Sequence, residues 1–178
     1  MAFLLLAIPV QAAERYNLTT VSPMTAEQIK PLMHPETQHL AEQVMEICAE
    51  QGISAEFIVA VMRLERNVAI HNYFGWSWGD GSLVVFESDE ECLQHCIPLI
   101  KEKYLTEDGI YFNGYTVSDV SVYYNNSQFW REFIIAEIEW IFAEATASFT
   151  NDCPSPPRPL TAHQKIEMYQ QFLFTKIK

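Results

Sequence analysis

The sequence predicts a mainly α protein with a small β/loop lobe and an extra helix at its C-terminus. Apolar residues recur at helical spacing in the first long segment, where Leu40, Ala41, Val44, Met45, Ile47 and Cys48 share one face. Residues 55–65 are apolar nearly all round, which marks a buried central helix. Strand-type signals are scarce, the clearest being the short apolar run at 83–86. The chain has 178 residues, 49% of them hydrophobic and 13% aromatic, enough for one packed domain with tails. It contains no internal repeat.

Taken in order, residues 1–13 read as the apolar part of a signal peptide, with Ala12 and Ala13 as the small residues of a cleavage site. No basic residue precedes that run, and at roughly ten residues it is too short to span a bilayer. The expectation is an exported protein (secreted, periplasmic or cell-surface) without an integral membrane span. Residues 14–36 are polar and broken by Pro23, Pro31 and Pro35, so they read as a linker or wrapping arm. The domain proper is expected over 37–149. Its first helix ends at Gly52, a residue suited to a C-cap. Ser54 then caps the apolar helix 55–65.

Residues 67–81 carry His71, Asn72, Tyr73, Phe74, Gly75, Trp76, Trp78, Gly79 and Gly81, a mixture that suits an exposed loop better than a helix. The run 83–86 is expected as a short strand or an extended edge. Ser88 followed by Asp89, Glu90 and Glu91 opens the next helix, to about Tyr104, with Pro98 as a point of kinking. A short helix over 117–124 and a long one over 127–149 follow; Phe133, Ile134, Ile138, Ile141 and Phe142 face inward on the second. Residues 150–161 are expected as a proline-rich linker and 162–178 as the extra amphipathic helix, a surface for a protein partner.

Charge and composition exclude several functions. With 11 basic and 23 acidic residues the formal charge is −12, so nucleic acid is not expected as a partner, nor is electrostatic attachment to anionic lipid. Cys48, Cys92, Cys96 and Cys153 match no zinc spacing; Cys92 and Cys96 lie one turn apart, open to pairing with Cys48 or Cys153 or to remaining as buried thiols. His71 and His95 lack the partners of a known metal site and read as solvated or packed histidines, so no metal is expected. No G-x-S-x-G pattern is present.

The most informative acid is Glu65. It ends the apolar helix, where burial and the negative end of the helix dipole both favour the neutral carboxyl, as a general acid requires. The bland alternative is a helix-end glutamate paired with Arg63 or Arg66. The aromatic loop that follows suits the apolar faces of sugar rings.

Three pieces of the chain, in this order, resemble the glucosaminidase domains of glycoside hydrolase family 73, within the lysozyme-like superfamily. They are Ala60-Val61-Met62-Arg63-Leu64-Glu65, then Asn72-Tyr73-Phe74-Gly75, then Tyr124 with Trp130 six residues later. Gly114-Tyr115-Thr116-Val117 also resembles what precedes the family's tyrosine. The resemblance covers about residues 37–145. It implies a lysozyme-like helical domain and cleavage of the β-1,4 glycan backbone of peptidoglycan, N-acetylglucosaminidase type, without metal or organic cofactor. Muramidase or lytic transglycosylase chemistry fits the same acid, and a catalytically inactive glycan-binding or scaffold module fits the same fold. An intracellular helical interaction protein is a reading from a different class.

Under this resemblance Glu65 is the proton donor, and Tyr124 positions the N-acetyl group or stabilises charge at the anomeric carbon, with Tyr123 as its competitor. Asn72, Phe74, Gly75, Trp76, Trp78, Tyr123 and Trp130 are the expected substrate-binding residues, Trp78 being the most exposed of the aromatics. For a second carboxylate the candidates are Asp80, Glu87 and Asp89. Glu87 is preferred, because Asp89 is explained by first-turn helix chemistry. A substrate-assisted route needs no second acid. The chain departs from the family at Arg66-Asn67, where small residues are usual; Arg66 is placed to pair with Glu65 and lower its pKa.

Overall fold

The structure is a computed structural model that describes residues 16–147, with side chains through 145. The expected signal segment 1–13, the linker 150–161, the C-terminal helix 162–178 and Cys153 lie outside the described residues. The described part is mainly helical. Its α-helices are α1 (Ala26–Ile29), α2 (Ala41–Gln51), α3 (Ala55–Glu65), α4 (Asp89–Tyr104), α5 (Val117–Tyr124) and α6 (Gln128–Ala147). Short 3-10 turns at Lys30–Leu32, Pro35–Leu40 and Val68–Ile70 join them.

Local chemistry sets the helix ends. Gly52 stops α2 with a left-handed φ of 60°, and its N–H closes onto the Ala49 and Cys48 carbonyls. The Ser54 hydroxyl accepts from Phe57 N at 3.1 Å and starts α3. Ser88 does the same for α4 through Glu91 N, and Thr116 with Asp119 forms a reciprocal capping box on α5. The first helix starts later than the apolar pattern predicts: residues 37–40 belong to the 3-10 turn Pro35–Leu40, and α2 proper begins at Ala41. Proline at the start of that turn has its φ already fixed for helical winding.

Helix α3 is the centre of the domain. It packs between α2 and α6, while α4 covers α2 and α5 lies on α6. Phe57, Ile58, Val59, Val61 and Met62 are each at most 1% exposed. Burial at roughly 1.5–3 kcal/mol per large apolar side chain makes this helix the main hydrophobic contributor. Its orientation is therefore fixed by packing on both sides, and so is the direction in which its C-terminal acid points.

Two regions refine the sequence reading. Of the two readings for residues 14–36, linker or wrapping arm, the described part fits the second: residues 16–36 bury Leu18, Ile29, Leu32 and Met33 in the same core. Leu18 also ties in by backbone: its N–H donates to Tyr115 O at 2.8 Å, and its carbonyl accepts from Ser54 N at 2.7 Å. The carboxylate of Glu56, itself buried, accepts from Ser22 Oγ at 2.7 Å and Ser54 Oγ at 2.8 Å. The packed unit thus reaches back to residue 16 rather than starting at 37.

Of the two readings for 83–86, a strand or an extended edge, the strand does not form. Val84 and Phe86 are buried while Leu83 and Val85 are exposed, so the alternation is real. The backbone partners are scattered, however: Val84 N donates to Trp76 O and Phe86 N to Ile70 O. Among the described residues this lobe holds only the isolated bridges Asn67–Asn72 and Ser77–Leu83. It is a loop lobe shaped by turns, not a β-sheet.

Candidate active site

The site is assembled where α3 ends. Glu65 is its last residue and is half-buried. Burial raises its pKa above the ordinary 4.5. The Trp130 indole N–H, buried and without a partner at full hydrogen-bond geometry, and the Asn125 side chain lie toward the carboxyl and pull the other way without overcoming burial.

The neighbouring arginines do not neutralise this acid. Arg63 faces back into the domain, where it pairs with Glu137 on α6, donates to Leu32 O at 2.8 Å and lies 4.6 Å over the Trp140 ring. Arg66 donates to Arg63 O at 2.6 Å, and its Nε stands 3.5 Å from Glu36. The expected pairing of Arg66 with Glu65 is absent, and no ion pair among the described residues engages Glu65. Arg66 forms the C-cap with φ −52° and ψ 135°, so the chain turns away from the helix there and carries the guanidinium toward Glu36.

The loop after α3 folds back onto the acid. Asn72 organises it: Nδ2 donates to Trp76 O at 2.7 Å and Val84 O at 2.9 Å, and Oδ1 accepts from Trp76 N at 2.9 Å and Phe74 N at 3.3 Å. Both amide donors are therefore used, and the side chain is fully buried. Asn72 and Phe74, expected at the substrate surface, instead build the turn, since Phe74 is only 1% exposed. The turn delivers Gly75 against the carboxyl. Its φ is +62°, and a Cβ there would sit 2.8 Å from Glu65 Oε2. Glycine is required twice at this position, by conformation and by contact.

Tyr124 completes the back wall. Its hydroxyl donates to Phe74 O at 2.7 Å, the carbonyl just before Gly75. Burial, and then the nearby Glu65 charge, push its phenol well above the ordinary value. Its ring meets Tyr104 at 5.5 Å, Trp130 at 5.2 Å and Trp76 at 6.5 Å. Between the neighbouring tyrosines, position 124 faces the site. Tyr123 is 54% exposed and stacks on Tyr111 at 5.7 Å, on the surface away from the Glu65 cavity lining. Trp130 is buried behind Tyr124 rather than open to ligand. Trp76 is half-buried with Lys103 Nζ 5.6 Å over its ring, and Trp78 stands 63% exposed farther along the loop.

In front of Glu65 lies an open cavity of about 640 Å³, lined among others by Glu36, Arg66, Asn67, Gly75 and Leu83. Its second carboxylate is Glu36, a residue the sequence reading passed over inside the supposed arm. Glu87, preferred there, is exposed and does not line the cavity; its backbone N–H donates to Glu91. Asp80 is tied to Ser82 in an exposed turn, which holds its pKa low.

Asp89 does more than start α4. It accepts from His39 Nε2 at 2.8 Å, His71 Nδ1 at 2.5 Å and the Tyr73 hydroxyl at 2.6 Å. Burial alone would raise its pKa, but these bonds hold it below the ordinary value. The carboxylate thereby joins the turn that carries Glu36 to the loop that carries Gly75. It also explains how His71 keeps a left-handed φ of 51°, which is unusual for a non-glycine residue.

Cys48, Cys92 and Cys96 are buried free thiols. Among the described residues no group of three or more His, Cys, Asp or Glu side chains is arranged to hold a metal ion, and no helix is long and apolar enough to cross a membrane. Compared with protein-family models, with curated proteins and with solved structures, the chain matches none.

Proposed function

We propose that the protein is an exported hydrolase of the peptidoglycan glycan backbone, acting on the β-1,4 bond as an N-acetylglucosaminidase with Glu65 as general acid. The observation that carries this reading is the state of Glu65. Its carboxyl is desolvated, its pKa is raised, no ion pair among the described residues engages it, and it borders a cavity of about 640 Å³. A carboxyl whose neutral form is favoured by burial is suited to donate its proton to a glycosidic oxygen as the bond to the anomeric carbon breaks. The Gly75 turn keeps the approach to Oε2 narrow. Tyr124 fixes that turn from behind, so its part in catalysis is to position the loop rather than to hold the N-acetyl group or stabilise charge at the anomeric carbon.

The bond and the polymer rest on the ordered resemblance of the Glu65, Asn72–Gly75 and Tyr124–Trp130 motifs to family 73 glucosaminidases. Trp78, 63% exposed on the same loop, offers an aromatic face for a sugar ring. The test separates binding from turnover. Glu65→Gln should still co-sediment with purified peptidoglycan while releasing no soluble fragments. A variant that keeps the parent's rate of release would refute Glu65 as the acid. A parent that binds walls but releases nothing would leave a glycan-binding module as the better reading.

A further inference from the structure

Glu36 and Glu65 border the same cavity but come from different elements and stand in different surroundings. Glu65 ends the buried helix α3 and has no counter-ion among the described residues. Glu36 is 56% exposed, and Arg66 reaches to it with Nε at 3.5 Å. Arg66 thus sides with one carboxylate and not with the other. Two carboxyls held in unlike environments across one site are the usual arrangement of an acid and a base.

The backbone at Glu36 is also fixed. Pro35 occupies the first turn, His34 Nδ1 accepts from Glu36 N at 3.3 Å, and Thr37 Oγ1 donates to His34 O at 3.0 Å. Three residues on, His39 is bound to Asp89.

We propose that Glu36 is the general base of an inverting reaction, taking the proton from the water that attacks the anomeric carbon while Glu65 protonates the leaving oxygen. This rests on the glycan-hydrolase reading above. The water oxygen forms the new bond to the anomeric carbon on the face opposite the leaving sugar. The electron pair of the old C–O bond goes to the leaving oxygen, which receives the Glu65 proton. The water's proton ends on Glu36, and solvent exchange restores both carboxyls. Inverting pairs stand about 6.5–9.5 Å apart and retaining pairs about 5–5.5 Å. Glu36 and Glu65 reach the open cavity from separate elements, the turn Pro35–Leu40 and the end of α3, with Arg66 held on the Glu36 side, an arrangement that leaves space for water between them. Water accounts for about 30 Å³ per molecule, so a cavity of about 640 Å³ has room for a sugar ring and the attacking water.

The test uses the full chain on soluble, uncrosslinked peptidoglycan strands. Proton NMR of the first product should show the α anomer. Glu36→Gln should lose roughly 100-fold or more of kcat with little change in KM. Glu36→Ala should regain turnover in sodium azide and yield the α-glycosyl azide, because azide needs no base. A structural role for Glu36 would not produce that adduct. A β first product, a Glu36→Gln variant within about threefold of the parent, or an alanine variant that azide does not rescue would each overturn the inference while leaving Glu65 in place. If the parent itself cleaves nothing, the glycan-hydrolase reading falls first and this one with it.

Discussion

Gly75 and Gly52 offer a matched pair for testing whether the loop really packs on the acid. Both have left-handed backbones, with φ of +62° and +60°. A Cβ at Gly52 meets nothing within 4 Å, whereas one at Gly75 would lie 2.8 Å from Glu65 Oε2. Alanine at either position carries the same left-handed penalty, about 1–2 kcal/mol. For a chain of 178 residues that corresponds to a drop of about 2–8 °C in Tm. Only at Gly75 must something also move. An ordinary contact needs about 3.4 Å or more, so the carboxyl or the turn must shift by roughly 0.6 Å. Misplacement on the order of 1 Å costs about 100-fold in catalysis, so Gly75→Ala should lose about 10- to 100-fold in kcat while Gly52→Ala stays near the parent. Thermal unfolding and release of soluble glycan, measured on both variants, check this. Equal activities in the two variants would refute the packing of Gly75 on Glu65 as a catalytic constraint.

Arg63→Met removes one partner of a nearly buried ion pair, whose side chains are 14% and 4% exposed; urea unfolding should show a loss of about 3 kcal/mol, and a loss under about 1 kcal/mol would contradict the role given to the pair. Glu65 has its pKa raised in the fold, so the folded chain holds that proton more tightly than the unfolded one. Stability from this group is present below its unfolded value and falls as pH rises from there through the folded value. Glu65→Gln should therefore be more stable than the parent at pH 7 and not at pH 3, as read by unfolding at the two pH values; the opposite order would refute a raised pKa. Tyr124→Phe should cost about 1 kcal/mol for the lost bond to Phe74 O and lower kcat more than it changes KM, and an unchanged kcat would remove Tyr124 from the site.

The helices were largely legible because their causes are local. The all-round apolar run of α3, the serine caps and Gly52 are written in adjacent residues, and each acts where the sequence places it. The acid Glu65 and the Asn72–Gly75 turn were legible for the same reason. What the sequence hid depends on contacts between distant residues. Leu18 is polar-flanked and isolated in sequence, yet its burial is decided by bonds to Tyr115 and Ser54. Glu36 lies among prolines that suggest a linker; an acid directly after Pro35 at the start of a tight turn was the one signal available.

Arg66 could as easily have paired with its sequence neighbour as with Glu36; the turn of the backbone after α3 decides that, and no local pattern reports it. The same holds at 83–86, where alternation implies a strand but only a partner strand could make one. Asp89 was read correctly as a helix-start acid, and its hold on His39, His71 and Tyr73 comes from three separate points in the chain.

The central claim is that Glu65 donates the proton in cleavage of a peptidoglycan glycan strand. Mass spectrometry of the soluble fragments released from purified peptidoglycan, for the parent and for Glu65→Gln, tests it most directly. The account predicts fragments ending in reducing N-acetylglucosamine from the parent and none from the variant. Fragments ending in reducing or anhydro muramic acid would keep Glu65 but change the bond and reaction. Equal release by both proteins would contradict the claim.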